Sequence, residues 1–131
     1  SAVENVELPL LLLGNSAGEA RQRAQQALAD VGLGDRSQHR PAELSGGQQQ
    51  RVAVARAIVH RPAVVLCDEP TGNLDSRTSA EVLDLLKRIN TEHKTTFLIV
   101  THDAGIAELC DRVLRMEDGI IISDSSRTEE E

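Results

Sequence analysis

The sequence predicts an α/β fold: a layer of parallel strands with helices packed on it, preceded by a helical portion. Three observations carry this. Ala63-Val64-Val65-Leu66-Cys67 is an unbroken apolar run, rich in β-branched side chains and set between prolines, and it reads as a buried strand of a parallel sheet. Thr96-Phe97-Leu98-Ile99-Val100 is a second buried run. Around them apolar residues recur at helical spacing, so strands and helices alternate along the chain.

Taken in order, the start is abrupt, and Ser1 to Val6 reads as the middle of an element. Gly14-Asn15-Ser16-Ala17-Gly18 is a loop by composition. Glu19 to Val31 is a helix, with Ala24, Ala27, Leu28 and Val31 on one face. Gly32 and Gly34 end it, and a polar linker broken by Pro41 follows. Ser45 opens a second helix whose apolar face is Val52, Ala55, Ile58 and Val59, terminated by Arg61-Pro62. After the first strand, Ser79 to Glu92 forms a third helix, with Val82, Leu85, Leu86 and Ile89 in a stripe. Asp103 to Cys110 is a short helix beyond the second strand. Arg112 to Met116 and Ile120 to Ile122 flank an Asp118-Gly119 turn, a hairpin signal. The expected division is a helical subdomain over residues 1–62, a sheet-bearing core over 63–123 and a disordered acidic tail over 124–131.

Composition narrows the function. The core has to be built from Leu, Val, Ile and Ala, because the chain has one Phe and no Trp or Tyr. A formal charge of −7 argues against nucleic acid as a partner, since phosphate backbones need a basic face. Cys67 and Cys110 form neither a C-x-x-C pair nor a metal-spaced set, and are expected to be free thiols. No signal peptide is visible, and the apolar stretch Leu10 to Leu13, after Leu8-Pro9, falls far short of the ~20 residues of a spanning helix. Any membrane role is expected through a partner.

Two segments carry chemistry. Asp68-Glu69 directly follows the first strand, and in open α/β sheets ligands sit at the carboxyl ends of strands. A carboxylate there suits Mg²⁺, and its neighbour suits polarising a water. Taken alone, the pair reads equally as a solvated strand end. Ser45-Gly46-Gly47-Gln48 opens a helix, where backbone amides and the dipole favour an anion such as phosphate. Taken alone, it reads as an ordinary serine N-cap with a flexible turn. His39, His60 and His93 lie in polar or helix-end contexts and read as surface residues, and Arg51 and Arg56 read as structural.

The segments do not stand alone. Leu44-Ser45-Gly46-Gly47-Gln48-Gln49-Gln50-Arg51, Leu66-Cys67-Asp68-Glu69-Pro70-Thr71-Gly72-Asn73-Leu74-Asp75 and Thr101-His102-Asp103 come in this order. Together they closely resemble the ATP-binding cassette family, as its signature motif, its Walker B motif with D-loop, and its switch histidine. The resemblance runs from Val3 to about Ile122. It implies a partial P-loop ATPase core plus the helical subdomain, acting on ATP with Mg²⁺. Ser45, Gly46, Gly47 and Gln48 would face the ATP held by an opposite subunit, and Asp75 would sit at the dimer seam. Asp68 would organise the metal, Glu69 would be the general base, and His102 would contact the γ-phosphate. The reaction is phosphoryl transfer to water, in which positioning and charge stabilisation supply the catalysis.

The phosphate-binding loop G-x-x-x-x-G-K-[ST] does not occur: the lysines are Lys87 and Lys94, and neither follows a glycine. The chain reads as beginning just after the family's glutamine loop. It is therefore expected to bind ATP and Mg²⁺ weakly and to be inactive alone, with exposed sheet edges that favour self-association. Glu4-Asn5-Val6-Glu7-Leu8-Pro9-Leu10-Leu11 resembles subunits of the lipoprotein-releasing and macrolide-exporter branch. Implied partners are transmembrane permease subunits and a second nucleotide-binding subunit, with the chain peripheral on the cytoplasmic face of the membrane. The competing readings are a non-catalytic half-subunit that acts as an interaction module, and a chromosome- or repair-type ATPase. The missing heptads and the acidic balance disfavour the second of these.

Overall fold

The computed structural model describes residues 1–126 and forms two compact units, Ser1–Val100 and a second beginning at Thr101. The first unit therefore holds both the helical portion and the parallel strands.

It opens with α1 (Ala2–Leu12), α2 (Ala17–Asp30) and α3 (Gly46–Ile58), joined by loops and two single 3₁₀ turns. α1 stands where the sequence reads as the middle of an element; it starts at Ser1, which caps it in a capping box with Glu4, and it runs through Pro9. Leu10, Leu28, Val3, Val6 and Val31 are fully buried among these helices. Glu7 is also buried, and Arg21 on α2 grips both its carboxylate oxygens at 2.7 and 3.0 Å.

Arginines close the helix ends. The last carbonyls of a helix have no partner within it. Arg51 Nη1 donates to Val31 O at 2.9 Å, Arg88 Nη2 to Asp30 O at 2.6 Å, and Arg23 Nη2 to Val59 O at 3.0 Å. The structural role expected of Arg51 is thus observed. Gly32, at φ +79°, turns the chain out of α2 in the left-handed conformation that glycine adopts without strain.

β1 (Val64–Asp68), α4 (Ser76–His93) and β2 (Thr96–Val100) follow. The strands pair in parallel, with Val64 opposite Thr96 and Asp68 opposite Val100. The expected α/β class with parallel strands is present. α4 packs Leu85, Leu86 and Ile89 into a core shared with Val65, Cys67, Phe97 and Ile99. The strands were expected to be buried on both faces, but they are buried on one. Val64, Leu66, Leu98 and Val100 are 51–74% exposed, because among the described residues no element covers the face opposite α4.

The second unit holds α5 (Ala104–Ala107), shorter than the helix expected over 103–110, then β3 (Arg112–Glu117) and β4 (Ile120–Ser126). The strands pair antiparallel around Asp118 and Gly119, both at positive φ (49° and 78°), as a two-residue hairpin turn of this twist requires. The ladder shifts register between Arg115 and Met116. β4 runs three residues into the expected acidic tail, because Arg112 holds Asp124 through two hydrogen bonds of 2.9 and 2.6 Å. The rest of that tail, residues 127–131, lies outside the described residues. Cys67 and Cys110 are free, and burial raises both thiol pKa values, so neither is poised as a nucleophile.

Candidate functional site

Ser45 is the N-cap of α3, at φ −65° and ψ 164°. Its hydroxyl oxygen accepts from Gln48 N at 3.2 Å, and Gln48 Oε1 accepts from Ser45 N at 3.0 Å. This capping box reconciles the two readings of the segment. The cap uses Ser45 Oγ as an acceptor, and a hydroxyl carries a donor as well. Gln48, expected to face a ligand, spends its amide oxygen shaping the cap. Ser45 and Gly46 are exposed, while Gly47 is buried.

The two glycines are glycine for different reasons. A Cβ on Gly46 would make only ordinary contact with Leu74 Cδ2 at 3.4 Å. A Cβ on Gly47 would lie 2.3 Å from Thr78 Cγ2, a distance no real pair of carbons tolerates. The start of α4 therefore lies directly against the start of α3.

Asp75 is the N-cap of α4, its Oδ2 accepting from Thr78 N at 3.4 Å. The Thr78 hydroxyl and then the Thr78 amide hold the Asp75 carboxyl below the ordinary aspartate range. The structure thus gathers Ser45, Gly46, Gly47, Leu74, Asp75 and Thr78 at two capped helix starts, with Ser45, Gly46 and Asp75 exposed. Four of these residues, Ser45, Gly46, Gly47 and Asp75, were expected at the site from the sequence, and Leu74 and Thr78 were not. The Asp75-x-x-Thr78 spacing signals a helix cap, but nothing local says that Thr78 meets Gly47.

Asp68 is the last residue of β1 and is exposed at its carboxyl end. Glu69 N continues the ladder by donating to Val100 O at 2.8 Å. Glu69 then adopts φ +47°, a left-handed conformation that costs a non-glycine residue roughly 1–3 kcal/mol. Such strain persists only where surrounding structure enforces it, and Gly72 N donates to Glu69 O at 3.1 Å to close the turn. Asp68 fits the ligand set of Mg²⁺ in chemical type only. Among the described residues no three His, Cys, Asp or Glu side chains gather to hold a metal, so phosphate and water would complete its shell.

His102 is exposed in the second unit, two residues beyond β2. Next to it, Asp103 caps α5, with Oδ1 accepting from Gly105 N at 2.8 Å.

This combination places groups suited to phosphate and a divalent cation at a helix start and a strand end of an α/β chain. The ABC transporter family matches residues 1–72, more than half of the 131-residue chain, and the chain belongs to that family. It is 51% identical over 123 residues to the lipoprotein-releasing system ATP-binding protein LolD of Pseudomonas fluorescens, covering 94% of this chain and 54% of that protein. It is 55% identical over 119 residues to the ABC transporter ATP-binding protein YbbA of Escherichia coli, covering 91% and 52%. The ATP-binding cassette MJ0796, solved as a dimer bound to ADP and Pi, superposes with a TM-score of 0.80 at 42% identity, over 96% of this chain and 56% of that one. The chain spans about half the length of these relatives. Their number includes the lipoprotein-releasing branch to which Glu4–Leu11 pointed.

Proposed function

We propose that the chain is the signature- and Walker B-bearing part of the ATP-hydrolysing subunit of a membrane transporter, of the lipoprotein-releasing type. The observation that carries this reading is Glu69. A carboxylate at the end of a parallel strand, held at positive φ immediately after Asp68, sits where phosphoryl-transfer sites of this fold class place their base. Its likeness to LolD supports the type of transporter.

In this reading the Glu69 carboxylate accepts the proton of a water as its oxygen bonds to the γ-phosphorus and the bond to the β-phosphate breaks. His102 steadies the γ-phosphate. Asp68 contributes one ligand to Mg²⁺, which neutralises phosphate charge when bound. Ser45 and the amides of Gly46 and Gly47 face ATP carried by a second nucleotide-binding subunit, and Asp75 lies at that seam. A dimeric relative bound to ADP and Pi supports the pairing. In the same reading the chain attaches to the cytoplasmic face of a membrane through permease subunits, which its likeness to the lipoprotein-releasing protein supports; among the described residues no helix is long and apolar enough to cross a membrane.

The chain contains no G-x-x-x-x-G-K-[ST] sequence, and the reading therefore predicts no ATP turnover by these residues alone. The test is Mg-ATP calorimetry and phosphate release, first on the chain and then after adding a P-loop-bearing half from a relative. Binding and turnover only in the mixture support the proposal. Tight binding by the chain alone contradicts it. A mixture that binds ATP without turnover marks a non-catalytic interaction module instead.

A further inference from the structure

A cavity of about 150 Å³ opens where α2, α3 and α4 end, beside the starts of β1 and β2. Asp68 stands at the other end of β1, roughly 13 Å of strand away, so the cavity lies outside the candidate site. Ile58, Val59 and Pro62 form its apolar wall. Arg23 and Arg61 also line it, and among the described residues neither forms an ion pair, in a chain with 21 acidic and 14 basic residues. Arg23 spends two of its five donors, on Val59 O at 3.0 Å and Asn15 Oδ1 at 3.5 Å. Arg61 spends no side-chain donor among the described residues. Asp30 is the one acid in the lining, and its Oδ1 already accepts from Gln26 Nε2 at 3.0 Å.

Cations near helix ends gain from the helix dipole, which accounts for the sign of these side chains. It does not account for Thr95. This residue is 3% exposed and lines the same cavity, yet only its carbonyl is used, accepting from Asn90 Nδ2 at 2.7 Å. Among the described residues no side-chain oxygen is both enclosed and unpaired, so the Thr95 hydroxyl is the part of that residue that the cavity reaches. A free donor in a nearly closed wall, beside two guanidiniums with no acid partner, calls for a group that only accepts. A carboxylate is such a group, and arginine suits it best. The volume equals the share of about five waters, which sets the ligand at about five non-hydrogen atoms.

We infer that this cavity binds a small free carboxylate of propionate size, its oxygens on Arg61, Arg23 and the Thr95 hydroxyl and its alkyl part against Ile58, Val59 and Pro62. The site is independent of the ATPase reading, and turnover or its absence in the reconstituted mixture leaves it untouched.

The test is a titration of the chain with sodium propionate, exchanged against sodium chloride at constant ionic strength and followed by ¹H–¹⁵N NMR. Saturable shifts are expected at the amides of Arg61, Lys94 and Thr95, with a Kd on the order of 1 mM. Propionamide has the same shape without the charge and should bind about tenfold more weakly. Arg61→Gln removes a guanidinium that holds nothing in the fold, and should weaken propionate about tenfold. Thr95→Val keeps the shape, loses the hydroxyl, and should weaken it about threefold. A capped tripeptide with a central glutamate carries the same carboxylate on a bulkier body and should bind more weakly than propionate. Shifts that do not saturate overturn the inference, as does propionamide binding equal to propionate, or an affinity indifferent to Arg61→Gln or Thr95→Val. A tripeptide that binds as tightly as propionate overturns the assignment to a free acid and makes the occupant a partner's side chain.

Discussion

Ser45 caps a helix and still carries a hydroxyl proton. Its oxygen caps α3 by accepting from Gln48 N, and the reciprocal bond from Ser45 N to Gln48 Oε1 completes the box. Ser45→Ala is expected to cost about 1 kcal/mol, whereas Ser45→Gly costs a few tenths, because glycine is a tolerable N-cap. Urea denaturation of the two variants separates these outcomes. A Ser45→Ala protein as stable as its parent would mean that the hydroxyl is not the cap. At this scale the sequence was legible where chemistry is local: Ser45, Gly46, Asp68 and Glu69 were placed by motif and found at a helix start and a strand end. It was illegible where chemistry is long-range. Gly47 reads from sequence as room for a ligand, yet the neighbour that forbids its side chain is Thr78, 31 positions along the chain (78 − 47). Only the packing of α4 on α3 brings them together.

The elements themselves were easy to find and harder to bury correctly. Both five-residue apolar runs became strands, because β-branched side chains suit a pleated surface. Their composition also announced burial on two faces, and one is open. An apolar run records what a strand is built to contact, and the described residues supply only α4. Substitutions on the two sides should therefore differ sharply. Leu86→Ala on α4 is expected to cost ~2–5 kcal/mol, since its side chain is 3% exposed within the core. Leu66→Ser, at a side chain 74% exposed, should change the chemical stability of the dilute, unassociated chain by less than about 0.5 kcal/mol. Chemical denaturation tests both, and a large loss from Leu66→Ser would mean that this face is covered in solution. In the β3–β4 hairpin, the Arg112 guanidinium holds the Asp124 carboxyl below its ordinary value of 3.8. A carboxyl depressed in the fold stabilises it above the unfolded value and loses that contribution as pH falls through the folded one. Stability of the hairpin should thus be flat from neutral pH down to about 4 and fall below it. Asp124→Asn should remove this acid-side decline, as read from amide shifts of β3 and β4 across the titration.

At the scale of the whole molecule, the open sheet face decides behaviour more than the site does. Val64, Leu66, Leu98 and Val100 alternate with the core residues along two paired strands, so their side chains stand side by side as one apolar patch. Among the described residues each strand pairs with the other on one side only, leaving β1 and β2 as both edges of a two-stranded sheet. Exposed apolar surface and unpaired edges both favour a second chain, and a charge of −7 opposes it only at long range, where salt screens it. The chain is accordingly expected to self-associate, more strongly as ionic strength rises. Sedimentation velocity over a concentration series at low and high salt measures this. Leu66→Lys and Leu98→Lys place charges in the middle of the patch without touching the core packed on α4, and should shift the population toward monomer. If a P-loop-bearing half buries the same face, adding it should dissolve the self-associated species in proportion to the complex formed. A chain that stays monomeric at every concentration and salt level would mean that the patch is too small to drive association. Its apolar residues would then have to be explained by the strands they build rather than by anything that covers them.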